Sequence, residues 1–204
     1  MQDWNDGFLA VGNHPVLDLL NTHLVVDGEA HEMLTDTDAL VRWLRVCGLT
    51  APPTEAKLRS WSARKEAETF LRDLLLFREA LRDAVFRIEE GKQPRKEFLA
   101  ELNELLAAHP YRLAIVTEHG ITSTAQAEGT SFADTLWAAL LRQVVQLLTE
   151  ADPARLRKCE SCVTHFHDLS KKNARRWCSM RLCGNKVKVA AYQERQRQAG
   201  FEKP

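Results

Sequence analysis

Five cysteines in the 204-residue chain offer the clearest chemistry, because four of them fall in two close pairs. Cys159 and Cys162 have two residues between them, Cys178 and Cys183 have four, and fifteen residues separate the pairs. This spacing is typical of a zinc site in which each pair turns two sulfurs towards one tetrahedral ion. Four thiolates complete the coordination shell, so we predict one structural Zn²⁺ with no open position for catalysis.

The cysteine pattern also allows alternatives to a four-thiolate zinc site. The cysteines could form two disulfides or remain unpaired thiols, although a segment with so few apolar residues needs a cross-link to fold. His165 or His167 could also replace one cysteine, because both follow Cys162 closely and imidazole is a common zinc ligand.

The sequence has neither an apolar run of about 20 residues nor a signal-peptide pattern. We therefore expect a cytoplasmic protein with reduced thiols that does not enter a membrane.

Charge divides the chain into two parts. Residues 153–204 hold 13 Lys and Arg against 4 Asp and Glu, a net charge of +9, whereas residues 1–152 hold 15 against 24, a net charge of −9. We predict two domains with these bounds and call them the finger and the body. Even if about two positive charges offset the thiolates, about seven remain to attract phosphates. The finger is therefore predicted to bind nucleic acid.

Helical periodicity dominates the body. Apolar residues recur at intervals of three and four over 66–90, 95–108 and 136–148, and a further helix is predicted to begin at Thr35 or Asp36 and to end at Gly48, before Pro52 and Pro53. The β-prone segments 111–117 and 121–125 predict a hairpin around Glu118, His119 and Gly120. The run 16–20 is either a short strand or a buried helical turn. The fold class is therefore α+β: a mostly helical domain with a small sheet, followed by a treble-clef or ribbon-like zinc finger.

Two polar residues, Asp18 and Asn21, stand close to the apolar run of the body and could line a ligand pocket. Alternatively, they form the local hydrogen bonds of a buried turn. The body shows no nucleophile, base and orienting residue in a recognisable pattern, so we do not expect an enzyme. A small-molecule enzyme with its site near Asp18 and Asn21 is kept as the least favoured function.

The segment Arg175-Arg176-Trp177-Cys178-Ser179-Met180, followed by Cys183-Gly184-Asn185-Lys186-Val187-Lys188, resembles the CGNR zinc-finger family. That family pairs its finger with an N-terminal ABATE domain, which Leu17-Asp18-Leu19-Leu20-Asn21-Thr22 and Leu40-Val41-Arg42-Trp43-Leu44 resemble. The resemblance implies a stress-related transcription regulator whose finger binds DNA. Lys186 stands where the family name has arginine, and lysine lacks the two-pronged contact with guanine. We expect Lys186 to contact phosphate.

The last helix is predicted to begin at Asn185, which can cap it, and to present Lys188, Tyr192 and Arg195 on one face. Trp177 is expected to cover the zinc site. The residues predicted to face that site from the helix are Val187, Ala190 and Ala191.

The function predicted from these features is DNA binding by a transcription regulator, with a body that senses a small-molecule effector or forms a homodimer. An RNA-binding accessory protein is the main alternative, because small zinc modules also bind single-stranded RNA. The cations expected to contact nucleic acid are Lys171, Lys172, Arg175, Arg176, Arg181, Lys186, Lys188 and Arg195.

Overall fold

A computed structural model describes residues 3–26, 29–49, 55–118, 121–126 and 129–201. The predicted breaker residues Pro52 and Pro53 and the turn residues His119 and Gly120 lie outside these ranges. Within them the chain forms seven α-helices and four separate two-stranded antiparallel sheets, which confirms the α+β class. None of the described helices is both long and apolar enough to cross a bilayer.

The helices and hairpins follow one another along the chain. The helices are α1 (Pro15–Leu20), α2 (Thr37–Val46), α3 (Glu55–Ser62), α4 (Lys65–Glu89), α5 (Lys96–Ala108), α6 (Phe132–Glu150) and α7 (Asn185–Phe201). The paired strands are β1 (Trp4–Asn5) with β2 (Phe8–Leu9), β3 (His23–Val26) with β4 (Glu29–Glu32), β5 (Leu113–Glu118) with β6 (Ile121–Gln126), and β7 (Leu156–Lys158) with β8 (His165–His167). A 3₁₀ turn, Pro153–Arg155, precedes β7, and a π-helical turn, Met180–Gly184, precedes α7.

The predicted helices of the body are confirmed as α2, α4, α5 and α6, and the predicted hairpin is β5 with β6. Asp36 caps α2, because its carboxylate accepts a hydrogen bond from the Ala39 amide at 2.7 Å. The run 16–20 is helical, as α1. Pro15 occupies its first turn, where the missing amide costs nothing, and the His14 imidazole accepts a bond from the Val16 amide.

Helix α1 lies in the middle of the body. Its apolar residues Val16, Leu17, Leu19 and Leu20 are all fully buried, and α1 packs against both α4 and α6. A helix that is apolar on nearly every side has no face suited to water, so the longer helices must enclose it. Burial of each such side chain contributes about 1.5–3 kcal/mol. Asp18 is the exception in this helix.

A buried arginine joins α4 to the first hairpins. The Arg78 side chain is 3% exposed, and its guanidinium donates to both carboxylate oxygens of Glu32, at 2.9 and 2.5 Å, and to the Thr22 hydroxyl at 2.8 Å. Burial works to raise the pKa of Glu32, but the bonds from Arg78 outweigh it and hold that pKa below its usual value. The paired charges therefore fix β4 and the residues after α1 to the surface of α4.

Strand β8 of the finger is hydrogen-bonded on two sides. One edge pairs with β7, and the other meets the body. There the Asn21 amide donates to the His165 carbonyl and accepts from the His165 backbone N–H, both at 2.9 Å. The His167 N–H donates to the Gly12 carbonyl at 2.8 Å, and Asn13 donates to the His167 carbonyl at 2.9 Å. Asn21 thus takes the place of a neighbouring strand.

The finger and the body also share apolar packing. Phe166 in β8 is fully buried in a cluster that includes three of the four paired cysteines together with Leu9, Val11 and Leu24 of the body. Trp177 packs against the same cluster from the finger. Packing is therefore continuous across residue 152, and the division into two domains at that residue stays a prediction.

Asn21→Ala should loosen the finger from the body. The substitution removes both side-chain bonds and leaves the buried His165 amide and carbonyl without partners, which costs about 2–4 kcal/mol of unfolding free energy. Urea unfolding of the zinc-loaded chain measures this loss, and the matched control is Asn103→Ala on the exposed surface of α5. Equal stability of the two variants would contradict the role given to Asn21.

Candidate metal centre and nucleic-acid interface

The four paired cysteines converge on one point. Their sulfurs all lie within 4.8 Å of one another, with 3.7 Å between Cys162 and Cys178 and 3.6 Å between Cys178 and Cys183. A tetrahedral zinc ion with Zn–S bonds of about 2.3 Å places its sulfurs about 3.8 Å apart. Cys159, Cys162, Cys178 and Cys183 are free thiols, so the disulfide alternative does not hold. The donor set fits one structural zinc, as predicted.

The first pair of ligands sits on the turn between β7 and β8. Cys159 directly follows β7, and its backbone N–H donates to the Thr164 carbonyl at 2.8 Å, which closes the turn that carries Cys162. Thr164 is itself buried. Because β8 is fixed to the body on its far edge, this half of the zinc site is anchored to the body too.

The second pair lies at the π-helical turn that leads into α7: Cys178 precedes the turn, and Cys183 lies on it. The Ser179 hydroxyl accepts bonds from the Arg181 and Leu182 amides and donates to the Asp3 carboxylate at 2.8 Å. Ser179 therefore caps this turn, and the prediction that Asn185 caps the last helix is wrong. The helical backbone begins at Met180, before α7. The amides that lack a partner within the helix are therefore those at the start of the π-helical turn, and Asn185 follows them.

Gly184 is needed for space in this turn. A Cβ atom there would lie 2.6 Å from the Met180 sulfur and 3.2 Å from the Trp177 ring. Trp177 and Met180 thus close over the backbone beside Cys183, which confirms that Trp177 packs at the zinc site.

Mutual repulsion keeps the four thiols from ionising together when no cation is present. Hydrogen bonds from Cys162 and Cys178 lower the pKa of Cys159, and a thiolate there raises the pKa of Cys178. Burial, with the neighbouring Cys162, raises the pKa of Cys183 to about 11. A bound divalent cation removes this opposition, because a coordinating thiol is deprotonated outright.

The histidines near the site are not placed as ligands. The His165 imidazole lies 2.8 Å from the Glu89 carboxylate of α4, and both side chains are buried. Among the residues that the structure describes, the four cysteines form the one cluster of potential ligands, without His165 or His167. The alternative with a histidine ligand therefore has no support in the geometry.

The eight predicted nucleic-acid contacts divide into two groups. Arg175 lies over the Phe166 ring at 4.6 Å, Arg176 pairs with Glu160, and Arg181 pairs with Asp3. The others are exposed and have no ion pair within the described ranges. These five, which we call the free cations, are Lys171, Lys172, Lys186, Lys188 and Arg195.

Two of the free cations lie on a loop whose shape is fixed by buried charge. Asp168 is fully buried, and its carboxylate accepts bonds from the Ser170 and Arg175 amides, both at 2.9 Å. Burial works to raise the pKa of Asp168, but these amides, with Arg157 nearby, hold it below its usual value. Arg155 donates to the Asp168 carbonyl at 2.9 Å. Lys171 and Lys172 are therefore presented by an ordered loop, a feature that no sequence pattern indicated.

The other three free cations lie on α7, which is exposed on all sides from Asn185 to Gln198. The prediction that Val187, Ala190 and Ala191 face the zinc site is wrong. Apolar residues of α7 lie around the whole circumference and form no continuous stripe, so the helix has no face that would bind to the finger's surface. It extends from the zinc site into solvent.

A pocket of about 610 Å³ adjoins Asp18. Its walls include Asn13, His14, Asp18 and Cys47 of the body and Leu169 of the finger. Burial raises the pKa of Asp18 to about 6, although the carboxylate accepts a bond from the Gly12 amide at 2.8 Å. Asn21 is not part of the wall, because it is buried and bonded to β8.

Loss of a single ligand should release the metal. Cys178→Ser removes a thiolate at the centre of the cluster, so we expect the purified variant to hold well under one zinc per chain, against one for the unmodified protein. Elemental analysis of protein purified without added metal measures this. Cys47→Ala is the matched control, since Cys47 lies outside the cluster. An unchanged zinc content in Cys178→Ser would contradict the four-thiolate site.

The free energy of unfolding of Asp18→Asn should rise relative to that of the unmodified chain as the pH increases. The pKa of Asp18 is about 6 in the fold against 3.8 for the ordinary group, so the folded state binds more protons between these values and loses stability as the pH rises through them. Asparagine cannot ionise, so the variant escapes this loss. Its free energy of unfolding, relative to that of the unmodified chain, should increase by about 1 kcal/mol between pH 5 and 7. Unfolding in urea at both pH values measures the gain. Asp38→Asn, an exposed carboxyl on α2, is the control.

Two family models match the chain. The ABATE model, described as "Putative stress-induced transcription regulator", matches residues 13–151, and the CGNR zinc-finger model matches residues 155–196. Comparison with curated proteins gave no match. The first model covers more than half of the chain, and the second contains all four cysteines of the metal centre. The chain therefore belongs to the ABATE family and carries a CGNR zinc finger.

Proposed function

We propose that this protein is a cytoplasmic transcription regulator whose zinc finger binds double-stranded DNA through the five free cations. The observation that carries the proposal is their exposure without ion partners in the described ranges, on a finger of net charge +9 held together by a metal. Free cations release counterions from DNA when they meet phosphates, which supplies affinity without base contacts. The body has the opposite charge and is repelled by DNA, so it favours approach through the finger.

The shape of α7 supports duplex DNA as the partner. It is 17 residues long and therefore about 25 Å in length. The major groove of B-DNA is about 12 Å wide and admits an α-helix, provided that the helix stands clear of its own protein. Exposure of α7 from Asn185 to Gln198 meets this requirement.

The aromatic residues of the finger favour a duplex over a single strand. Single-stranded nucleic acid is commonly bound by bases stacking on several exposed rings. Among the aromatic rings of the finger whose side chains the structure describes, Phe166 is buried and Trp177 is half-buried beside Arg176, which leaves Tyr192 as the exposed ring. One ring does not make a stacking platform, so the RNA-binding alternative is the weaker one.

The free cations of α7 should set much of the salt dependence of DNA binding. The triple variant Lys186→Gln, Lys188→Gln, Arg195→Gln should bind duplex DNA more weakly at every salt concentration. The slope of log affinity against log salt should fall by about 0.9 for each phosphate that the variant no longer neutralises, or about 2.7 if all three side chains pair with phosphate. Fluorescence anisotropy titrations at several salt concentrations measure both quantities.

A matched control changes the same number of charges on the body. Lys65→Gln, Lys96→Gln, Arg112→Gln removes three exposed cations away from the finger and should leave the slope unchanged. Competition with single-stranded RNA of equal length separates the two nucleic acids. Tighter binding of the RNA, or equal slopes for the two triple variants, would contradict the proposal.

A further inference from the structure

The pocket beside Asp18 lies where the body meets the finger. Asn13 and His14 form one side of it, Val46 and Cys47 at the end of α2 form another, and Leu169 reaches it from the loop after β8. Its volume, about 610 Å³, lies within the range of ordinary small-molecule sites, about 300–1,000 Å³. The pocket therefore has the size and the position of an effector site between two functional parts.

One charge dominates this pocket. Asp18 carries a carboxylate that is largely buried and has backbone and amide donors around it, but no cation within the described ranges acts on it. A buried charge without an opposite charge is costly. The Gly12 amide donates to the carboxylate, and glycine leaves room for this contact, because a Cβ on Gly12 would lie 2.8 Å from the Asp18 oxygen.

The other titratable groups of the pocket do not compensate Asp18. Burial lowers the pKa of His14 to about 4, with His167 adding to the effect, so the imidazole is neutral at pH 7. Since its Nδ1 accepts from the Val16 amide, the proton of the neutral ring is on Nε2. Burial also keeps the Cys47 thiol protonated by raising its pKa. The pocket thus carries one negative charge, on Asp18, and Pro15, Val46 and Leu169 add apolar surface to its wall.

We infer that this pocket binds a small organic cation, such as an amine, whose charged nitrogen pairs with Asp18 and whose apolar part packs against Val46 and Leu169. A divalent metal ion fits poorly, because Asp18 is the one carboxylate of the pocket, and its side chain forms no cluster of ligand atoms with His14 and Cys47 among the described residues. Anions are excluded by the same carboxylate. The net charge of −9 on the body adds a long-range attraction for cations.

The pocket is connected directly to the finger. Asn13 lies in its wall and donates to the His167 carbonyl of β8, and Leu169 lies two residues before Lys171. A ligand that packs against Leu169 therefore contacts the loop that presents two of the free cations. This coupling rests on the proposed function, and it assigns the body the role of an amine sensor that alters DNA binding by the finger.

Binding itself is tested without DNA. The zinc-loaded full chain, labelled with ¹⁵N, is titrated with cyclohexylamine, and with cyclohexanol and cyclohexanecarboxylate as neutral and anionic counterparts of similar shape. We expect the amine to shift the Gly12 and Leu169 amide signals and to bind at least about tenfold more tightly than the alcohol. Asp18→Asn should abolish this preference, whereas Asp38→Asn should retain it. Equal binding of amine and alcohol, shifts confined to other regions, or no binding would overturn the inference.

The coupling is tested separately. The affinity for duplex DNA is measured with and without cyclohexylamine, both for the unmodified chain and for Asp18→Asn. Because both proteins are measured at the same ionic strength, a salt effect of the amine changes both affinities equally. A change in affinity that is present only in the unmodified chain supports coupling, and identical responses of the two proteins overturn it. If no DNA binds at all, the proposed function fails, but the NMR titration still decides whether the pocket takes an amine.

Discussion

Four sulfurs must come within about 4 Å of one another around a single ion, and the finger has too few apolar residues to hold them there alone. Leu9, Val11 and Leu24 of the body complete the apolar cluster around Phe166 and the cysteines. The metal fixes the two turns of the finger to each other, and the body supplies the apolar cover. The zinc centre is thus a joint product of both parts of the sequence.

The contact between body and finger explains how an acidic body can hold a basic finger without neutralising it. Most of the bonds at β8 are uncharged: Asn21 to His165, and Gly12 and Asn13 to His167. Among the described residues, the ion pairs between the two parts are Asp3 with Arg181, Glu89 with His165, and Asp152 with Arg155, none of which uses a lysine. Attachment through backbone groups therefore leaves the free cations facing solvent.

The sequence was sufficient for features that depend on one segment at a time. Cysteine spacing predicted the zinc centre, and three- and four-residue periodicity predicted the long helices. The first hairpin was missed, although its turn, Asp6 and Gly7, has positive φ at both residues and is a typical hairpin signal. The partners of Arg175, Arg176 and Arg181 could not be predicted, because Phe166, Glu160 and Asp3 come near them only through the tertiary fold.

The face of α7 was misjudged for a related reason. Helical spacing can place residues on a common side, but it does not show whether another element covers that side, and in the described ranges Val187, Ala190 and Ala191 are exposed. Asn185 was predicted to be the cap because its side-chain oxygen can accept a bond from a free amide. The π-helical turn, which has no distinctive sequence pattern, moves the true cap back to Ser179.

Exposure of α7 also has a physical requirement that the metal meets. An isolated helix of about this length is marginal in water, mainly because its first turn is costly to form. Here the turn that leads into α7 carries Cys183 and follows Cys178, so coordination fixes its backbone, and Ser179 satisfies its first free amides. The zinc ion therefore removes the nucleation cost of α7, and a helix with almost no tertiary packing can extend from it. Metal binding, rather than apolar burial, is what presents Lys186, Lys188 and Arg195 on a helix.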